Sequence, residues 1–115
     1  MKKILITGGG GYIGSMLSTE LKNLGHKITV IDQLRYDKGS LDHLYFSKNF
    51  KLVNEDVRNL KILKQHIVKN EFIIPLAALV GAPLCEKNKK EAVSVNFEAI
   101  KNILKNINKK NKLIY

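Results

Sequence analysis

A single cysteine, Cys85, stands in 115 residues, so no intramolecular disulfide can form, and neither a zinc ribbon nor a redox pair has its second thiolate. Stability has to come from packing. No apolar run reaches the roughly 18 residues that cross a bilayer, which argues against a membrane partner. Met1-Lys2-Lys3 leads straight into Ile4-Leu5-Ile6-Thr7-Gly8 without a signal-peptide cleavage pattern, and the expectation is a cytoplasmic protein. Repeats, linkers and low-complexity tracts are also missing, so residues 1–115 read as one domain. Acidic residues are scarce: ten Asp+Glu against twenty Lys+Arg give a net charge of +10. That balance suggests nucleic acid as a partner. The excess is almost all lysine, however, spread through every segment and mixed with asparagine, as at Lys22-Asn23, Lys48-Asn49 and Lys69-Asn70. No aromatic-interleaved basic stripe accompanies it, so the reading is a solvated lysine-rich surface with no nucleic-acid partner.

What is present is an ordinary globular composition, 44% hydrophobic and 26% charged, arranged as short apolar runs alternating with stretches of helical spacing. The runs Ile4–Ile6, Ile28–Ile31, Phe50–Val53 and Phe72–Ile74 predict strands. Helices are expected over about Tyr12 to Leu24 (inner face Ile13, Leu17, Leu21, Leu24), Leu60 to Val68 (Leu60, Leu63, Ile67) and Lys90 to Asn108. The last of these would bury Ala92, Val95, Ala99, Ile103 and Ile107. A short helix is expected around Leu41 to Phe46, a loop at Gly81-Ala82-Pro83, and a fifth strand beginning at Leu113-Ile114-Tyr115. Successive strand–helix steps with right-handed crossovers specify an α/β fold, an open doubly wound parallel sheet of the Rossmann kind, truncated at its fifth strand. Its ligands would lie beyond the carboxyl ends of the strands.

The first strand runs into Thr7-Gly8-Gly9-Gly10-Gly11-Tyr12-Ile13-Gly14, where Gly8, Gly11 and Gly14 have G-x-x-G-x-x-G spacing. A pyrophosphate approaching a helix start needs free N–H groups and no Cβ in its way, and Gly14 would let the helix lie close on the sheet. Asp32 ends the second strand eighteen residues later, where a carboxylate can accept the adenosine ribose hydroxyls, with Gln33 beside it. This favours NAD over NADP. Arg35 pulls the other way, since an arginine here can accommodate a 2′-phosphate, but Asp32 would repel that phosphate.

With these residues in view, the segment Thr7 to Gly14 resembles the T-G-G-x-G-Y-I-G loop of the extended short-chain dehydrogenases/reductases, the NAD-dependent epimerases/dehydratases, whose best-known members act on nucleotide sugars. Asp56-Val57-Arg58 is similar to the family's D-[VL]-[RT] element, in which the aspartate meets the adenine amino group and the next residue packs the ring. Leu76-Ala77-Ala78 resembles the L-A-A ending the fourth strand beneath the ribose and pyrophosphate, and Asn96 matches a helix asparagine below the cofactor. The resemblance implies a cofactor set of Gly8, Gly11, Tyr12, Ile13, Gly14, Asp32, Gln33, Asp56, Val57, Leu76, Ala77, Ala78 and Asn96.

Two departures stand out. Pro75 replaces the histidine many members carry before L-A-A, and without an N–H it is expected to cost a ladder hydrogen bond or mark an irregular strand end. The family's catalytic Tyr-x-x-x-Lys is nowhere in the chain: Tyr36 and Tyr45 are followed four residues later by Ser40 and Asn49. No catalytic residue is therefore assigned. His26, His43 and His66 lack paired ligand spacing, so no metal is expected. Cys85 reads as structural, and residue types give no support for substrate contacts from Val80 to Pro83.

The expected function is NAD binding, as the cofactor-binding part of a nucleotide-sugar epimerase/dehydratase-like protein. The chain alone would be inactive, and its partners would be NAD, a nucleotide sugar, and a C-terminal half, second subunit or second copy. The alternative is a non-catalytic NAD sensor or one subunit of a split enzyme, and a basic nucleic-acid-binding domain ranks behind both.

Overall fold

Five parallel strands pair in the order β3-β2-β1-β4-β5, from β1 (Lys3–Thr7), β2 (Lys27–Ile31), β3 (Phe50–Val53), β4 (Phe72–Pro75) and β5 (Lys112–Leu113) in a computed structural model that describes residues 1–78 and 87–115. The order reverses between β1 and β4, which is the switch point of a doubly wound Rossmann sheet. Ile6 faces Val30 on one side and Ile74 on the other. Strands buried on both faces read as continuous apolar runs, which is why these segments were legible without alternation.

The pleat sorts these side chains into two cores. Ile4, Ile6, Ile28, Val30 and Ile74 pack with Leu41 and Leu44, and with Leu17 and Leu21 of α1 (Tyr12–Asn23). On the opposite face Leu5, Ile31 and Ile73 meet Leu63 and Ile67 of α2 (Leu60–Ile67). They also meet the last helical stretch, which comprises α3 (Lys89–Val93), a π-helical turn (Ser94–Glu98) and α4 (Ala99–Asn106).

The expected inner faces shift in instructive ways. On α1, Ile13 is 65% and Leu24 72% exposed, while Gly14 and Ser18 are the buried positions. Small residues face the sheet there, and counting apolar residues could not reveal them. Leu60 of α2 is likewise exposed, and His66 is buried in its place. The single helix expected over Lys90 to Asn108 carries the π turn in its middle. Four residues make up nearly a full π turn, so Val95 and Ala99 both stay on the inner face. It also ends at Asn106 because Ile107 turns extended, with φ −71° and ψ 150°. The expected short helix is one 3₁₀ turn, Asp42–Leu44, and β5 pairs at Lys112–Leu113, a residue earlier than expected.

Pro75 costs less than the sequence implied. Leu76 N–H donates to the Thr7 carbonyl of β1 at 2.8 Å, and the Ile73 carbonyl accepts from Ile114 N–H at 2.9 Å. Pro75 is in phase with Ile73, so its missing N–H points toward β5, where the paired residues have already ended. The β1 ladder is untouched.

His66 gives a pH dependence. Burial, reinforced by Lys51 and Lys69, holds its imidazole below the ordinary value. The unfolded chain therefore binds the proton more readily, and stability should fall as pH drops below about 6.5. Melting temperatures measured between pH 8 and pH 5 should decline over that range, and His66→Gln should flatten the decline. An equally steep decline in the variant would assign it to other groups.

Candidate functional site

A cleft opens at the carboxyl ends of β1 to β4, at the switch point. Its floor begins where β1 ends. Gly8 N–H donates to the Ile31 carbonyl at 2.8 Å, and its φ of +76° is a conformation that L side chains rarely adopt. A Cβ there would stand 2.4 Å from the Ala77 nitrogen, so Gly8 also lets the Leu76-Ala77 backbone close against the loop. A Cβ at Gly14 would meet the Gly8 carbonyl oxygen at 2.3 Å, which is the close helix–sheet contact the motif implied. Gly11 differs: its nearest neighbour is the Gly8 carbonyl oxygen at 3.4 Å, an ordinary contact. Nothing in the described protein requires Gly11 to lack a side chain, and it faces the cleft at the start of α1.

Asp32 holds this loop in place. Its Oδ2 accepts the Gly10 N–H at 2.8 Å and its Oδ1 accepts the Leu34 N–H at 2.7 Å. The second bond closes a turn that carries Leu34 to φ 55°, a position normally left to glycine, while its side chain stays buried in the α1-side core. That turn sends Gln33 and Arg35 to the cleft wall.

Asp56 is gripped by its neighbour two residues on. Arg58 Nε lies 2.9 Å from both carboxylate oxygens, and the Arg58 N–H donates to Oδ1 at 2.8 Å. These bonds, with a smaller contribution from Gln33, hold the Asp56 carboxyl below its usual range against the opposing effect of burial, and they raise Arg58 in return. Arg58 also approaches Glu91 of α3, Nη2 to Oε1 3.8 Å, and the same Glu91 oxygen accepts from Arg35.

The structure thus brings Gly8, Gly11, Asp32, Gln33, Asp56 and Val57 together with Leu76, Ala77 and Ala78 around one cleft. It does not bring in the other four residues of the expected set. Tyr12 and Ile13 are 84% and 65% exposed at the helix start, Gly14 is buried beneath the loop, and Asn96 is exposed on the π turn while its neighbour Val95 lines the cleft. Sequence reasoning missed Gly10, Leu34, Tyr36, Asp37 and Glu55 in the lining; of these only Gly10, inside the glycine run, had a readable signal. Cys85 and Val80 to Pro83 lie outside the described residues.

Charge is the cleft's other feature. Among the described residues, its lining carries the carboxylates of Asp32, Asp37, Glu55 and Asp56 against one guanidinium, Arg35. In a chain of net charge +10 this is a local inversion, and it separates the cleft from the lysine-rich surface. No group of three or more potential metal ligands occurs among the described residues, and no described helix is long and apolar enough to cross a membrane.

The model of the NAD dependent epimerase/dehydratase family matches residues 4–115. A UDP-N-acetyl-alpha-D-glucosaminuronate decarboxylase of Bacillus cytotoxicus is 30% identical over 103 residues, 90% of this chain and 32% of the relative. Among solved structures, the UDP-Glc/GlcNAc 4-epimerase of Campylobacter jejuni superposes with a TM-score of 0.82 at 26% identity, covering 92% of this chain and 33% of that one. The Bordetella bronchiseptica enzyme WbmG, in complex with NAD and UDP, gives 0.78 at 26% identity, covering 90% and 33%. The chain spans about a third of the length of these relatives.

Proposed function

The chain belongs to the NAD dependent epimerase/dehydratase family, and from that premise we propose that its cleft binds NAD as the cofactor-binding part of a nucleotide-sugar epimerase- or decarboxylase-like protein. The observation that carries the reading is the pairing of an open glycine with a fixed carboxylate. Gly11 leaves room beside the first turn of α1, where N–H groups without intrahelical acceptors suit a pyrophosphate. Across the cleft, Asp32 is held by two backbone donors with lone pairs still available for ribose hydroxyls. Asp56 and Val57 would take the adenine edge and face, and Leu76 to Ala78 the ground beneath the ribose. Tyr12, Ile13 and Gly14 would act through backbone N–H groups or close packing. Asn96 would meet the cofactor region from below, from the π turn.

Bound NAD would supply a hydride acceptor. This chain's own residues bind and orient it, and none of them is assigned a proton transfer. A nucleotide sugar and a C-terminal half, a second subunit or a second copy of the chain are the partners this reading calls for, in the cytoplasm. The acidic lining favours NAD over NADP and disfavours a nucleic-acid backbone in the cleft.

Calorimetric titration tests it. The unmodified chain should bind NAD more tightly than NADP, and Asp32→Ala should weaken NAD roughly ten- to a hundredfold, for loss of about 1.5–3 kcal/mol of charge-assisted hydrogen bonding. The variant also strands the Gly10 and Leu34 N–H groups, so Asp32→Asn, which keeps one acceptor oxygen, should lose less. Equal affinity for the two cofactors in the unmodified chain would remove Asp32 as the selector.

A further inference from the structure

Among the described residues Arg35 is the one cation in the lining of the cleft, three residues past Asp32; besides the ring of its neighbour Tyr36, 5.9 Å away, it touches a carboxylate on another element. Its guanidinium donates to Glu91 of α3, and Glu91 in turn lies 3.8 Å from Arg58, which Asp56 already holds. The chain Arg35–Glu91–Arg58–Asp56 thus joins the loop after β2, the start of α3 and the turn before α2. Glu91 is shared by two guanidiniums, and Arg58 has a second carboxylate where Arg35 has none among the contacts above. Glu91 itself is not part of the cleft lining.

Building on the proposed NAD site, we infer that Glu91 is a specificity-determining residue: by holding Arg35 it denies the adenosine ribose end the cation a 2′-phosphate would need. Asp32 alone repels that phosphate, but a free guanidinium three residues away could offset the repulsion and bind the phosphate by a bidentate contact. With Arg35 already neutralised, the 2′-phosphate meets Asp32 and the other carboxylates without compensation. Removing the Glu91 charge frees Arg35 while Arg58 stays on Asp56. The raised affinity of Arg35 for its proton, caused first by its bond to Glu91, agrees with a guanidinium held by that carboxylate.

The experiment titrates NAD and NADP calorimetrically into the unmodified chain, Glu91→Gln, Arg35→Gln and the double variant, with thermal melts to establish folding; Glu91→Ala replaces Glu91→Gln if the latter does not melt cooperatively. Glu91→Gln should strengthen NADP binding about tenfold or more while NAD changes by less than about threefold. In the double variant the gain should vanish, and Arg35→Gln alone should leave NADP as weak as in the unmodified chain. NAD binding with no NADP gain in Glu91→Gln, or a gain that survives in the double variant, would overturn the inference and leave the NAD reading standing. Failure of the unmodified chain to bind either nucleotide would overturn the NAD reading and this inference with it.

Discussion

Gly11→Val is expected to abolish NAD binding and leave the fold intact, while Gly8→Ala, a far smaller change, should damage the fold itself. The difference follows from what each Cβ would meet. At Gly11 the nearest atom is 3.4 Å away, and the φ of −76° is one any residue adopts, so valine adds no internal clash. Its methyl groups would instead project into the space proposed for the pyrophosphate. Displacing that group forfeits at least two hydrogen bonds to a charged ligand, each about 1.5–3 kcal/mol, so affinity should fall by more than about a hundredfold.

At Gly8 an alanine must accept a positive φ, costing about 1–2 kcal/mol, and a Cβ 2.4 Å from the Ala77 nitrogen, a backbone atom that cannot swing away. Overpacking of that kind costs a further 1–3 kcal/mol or so. Against the roughly 5–15 kcal/mol that stabilises a native protein, the sum is a large fraction. Circular dichroism melts and NAD titration of the two variants separate the effects. A folded Gly11→Val protein that binds NAD like the unmodified chain would reduce the glycine loop to a turn.

The same comparison shows what could be read from the residues alone. Ile4 to Ile6, Ile28 to Ile31 and Phe72 to Ile74 were legible as strands because burial on both faces removes polar alternation, and the glycine spacing marked the cleft because close backbone approach leaves no room for a Cβ at Gly8 and Gly14. The inner face of α1 was misread because Gly14 and Ser18, not Ile13 and Leu24, meet the sheet. Hydropathy does not register contacts made by the absence of a side chain. Asp32 was visible as a carboxylate at the end of β2, but its grip on Gly10, twenty-two residues away, was not. Nor could the sequence show Leu34 at positive φ, since a side-chain-closed turn there has no glycine to announce it. The Arg35–Glu91 contact spans fifty-six residues and depends on where α3 docks, which no local pattern encodes.

ADP-ribose should bind the 115-residue chain within about threefold of NAD, a difference of less than about 1 kcal/mol. Of the residues proposed to hold the cofactor, Gly8, Gly11, Asp32, Asp56 and Val57 serve the adenosine and pyrophosphate, and none is assigned to the nicotinamide ring. No Tyr-x-x-x-Lys occurs in the chain to hold the nicotinamide ribose or to take a hydroxyl proton from a sugar. Incubation with NAD and UDP-sugars should therefore give no change in NADH absorbance and no epimerised or decarboxylated product. Supplying in trans a polypeptide that carries the remaining part of a family member should raise both the melting temperature and the NAD affinity, because each ligand binds the folded form and adds to the stabilisation by the other. The nicotinamide half should then begin to contribute, so NAD should gain on ADP-ribose only in the presence of that polypeptide. Turnover by the purified 115-residue chain alone, or a hundredfold preference for NAD over ADP-ribose without the added polypeptide, would show that chemistry or nicotinamide contacts reside in residues to which neither has been assigned.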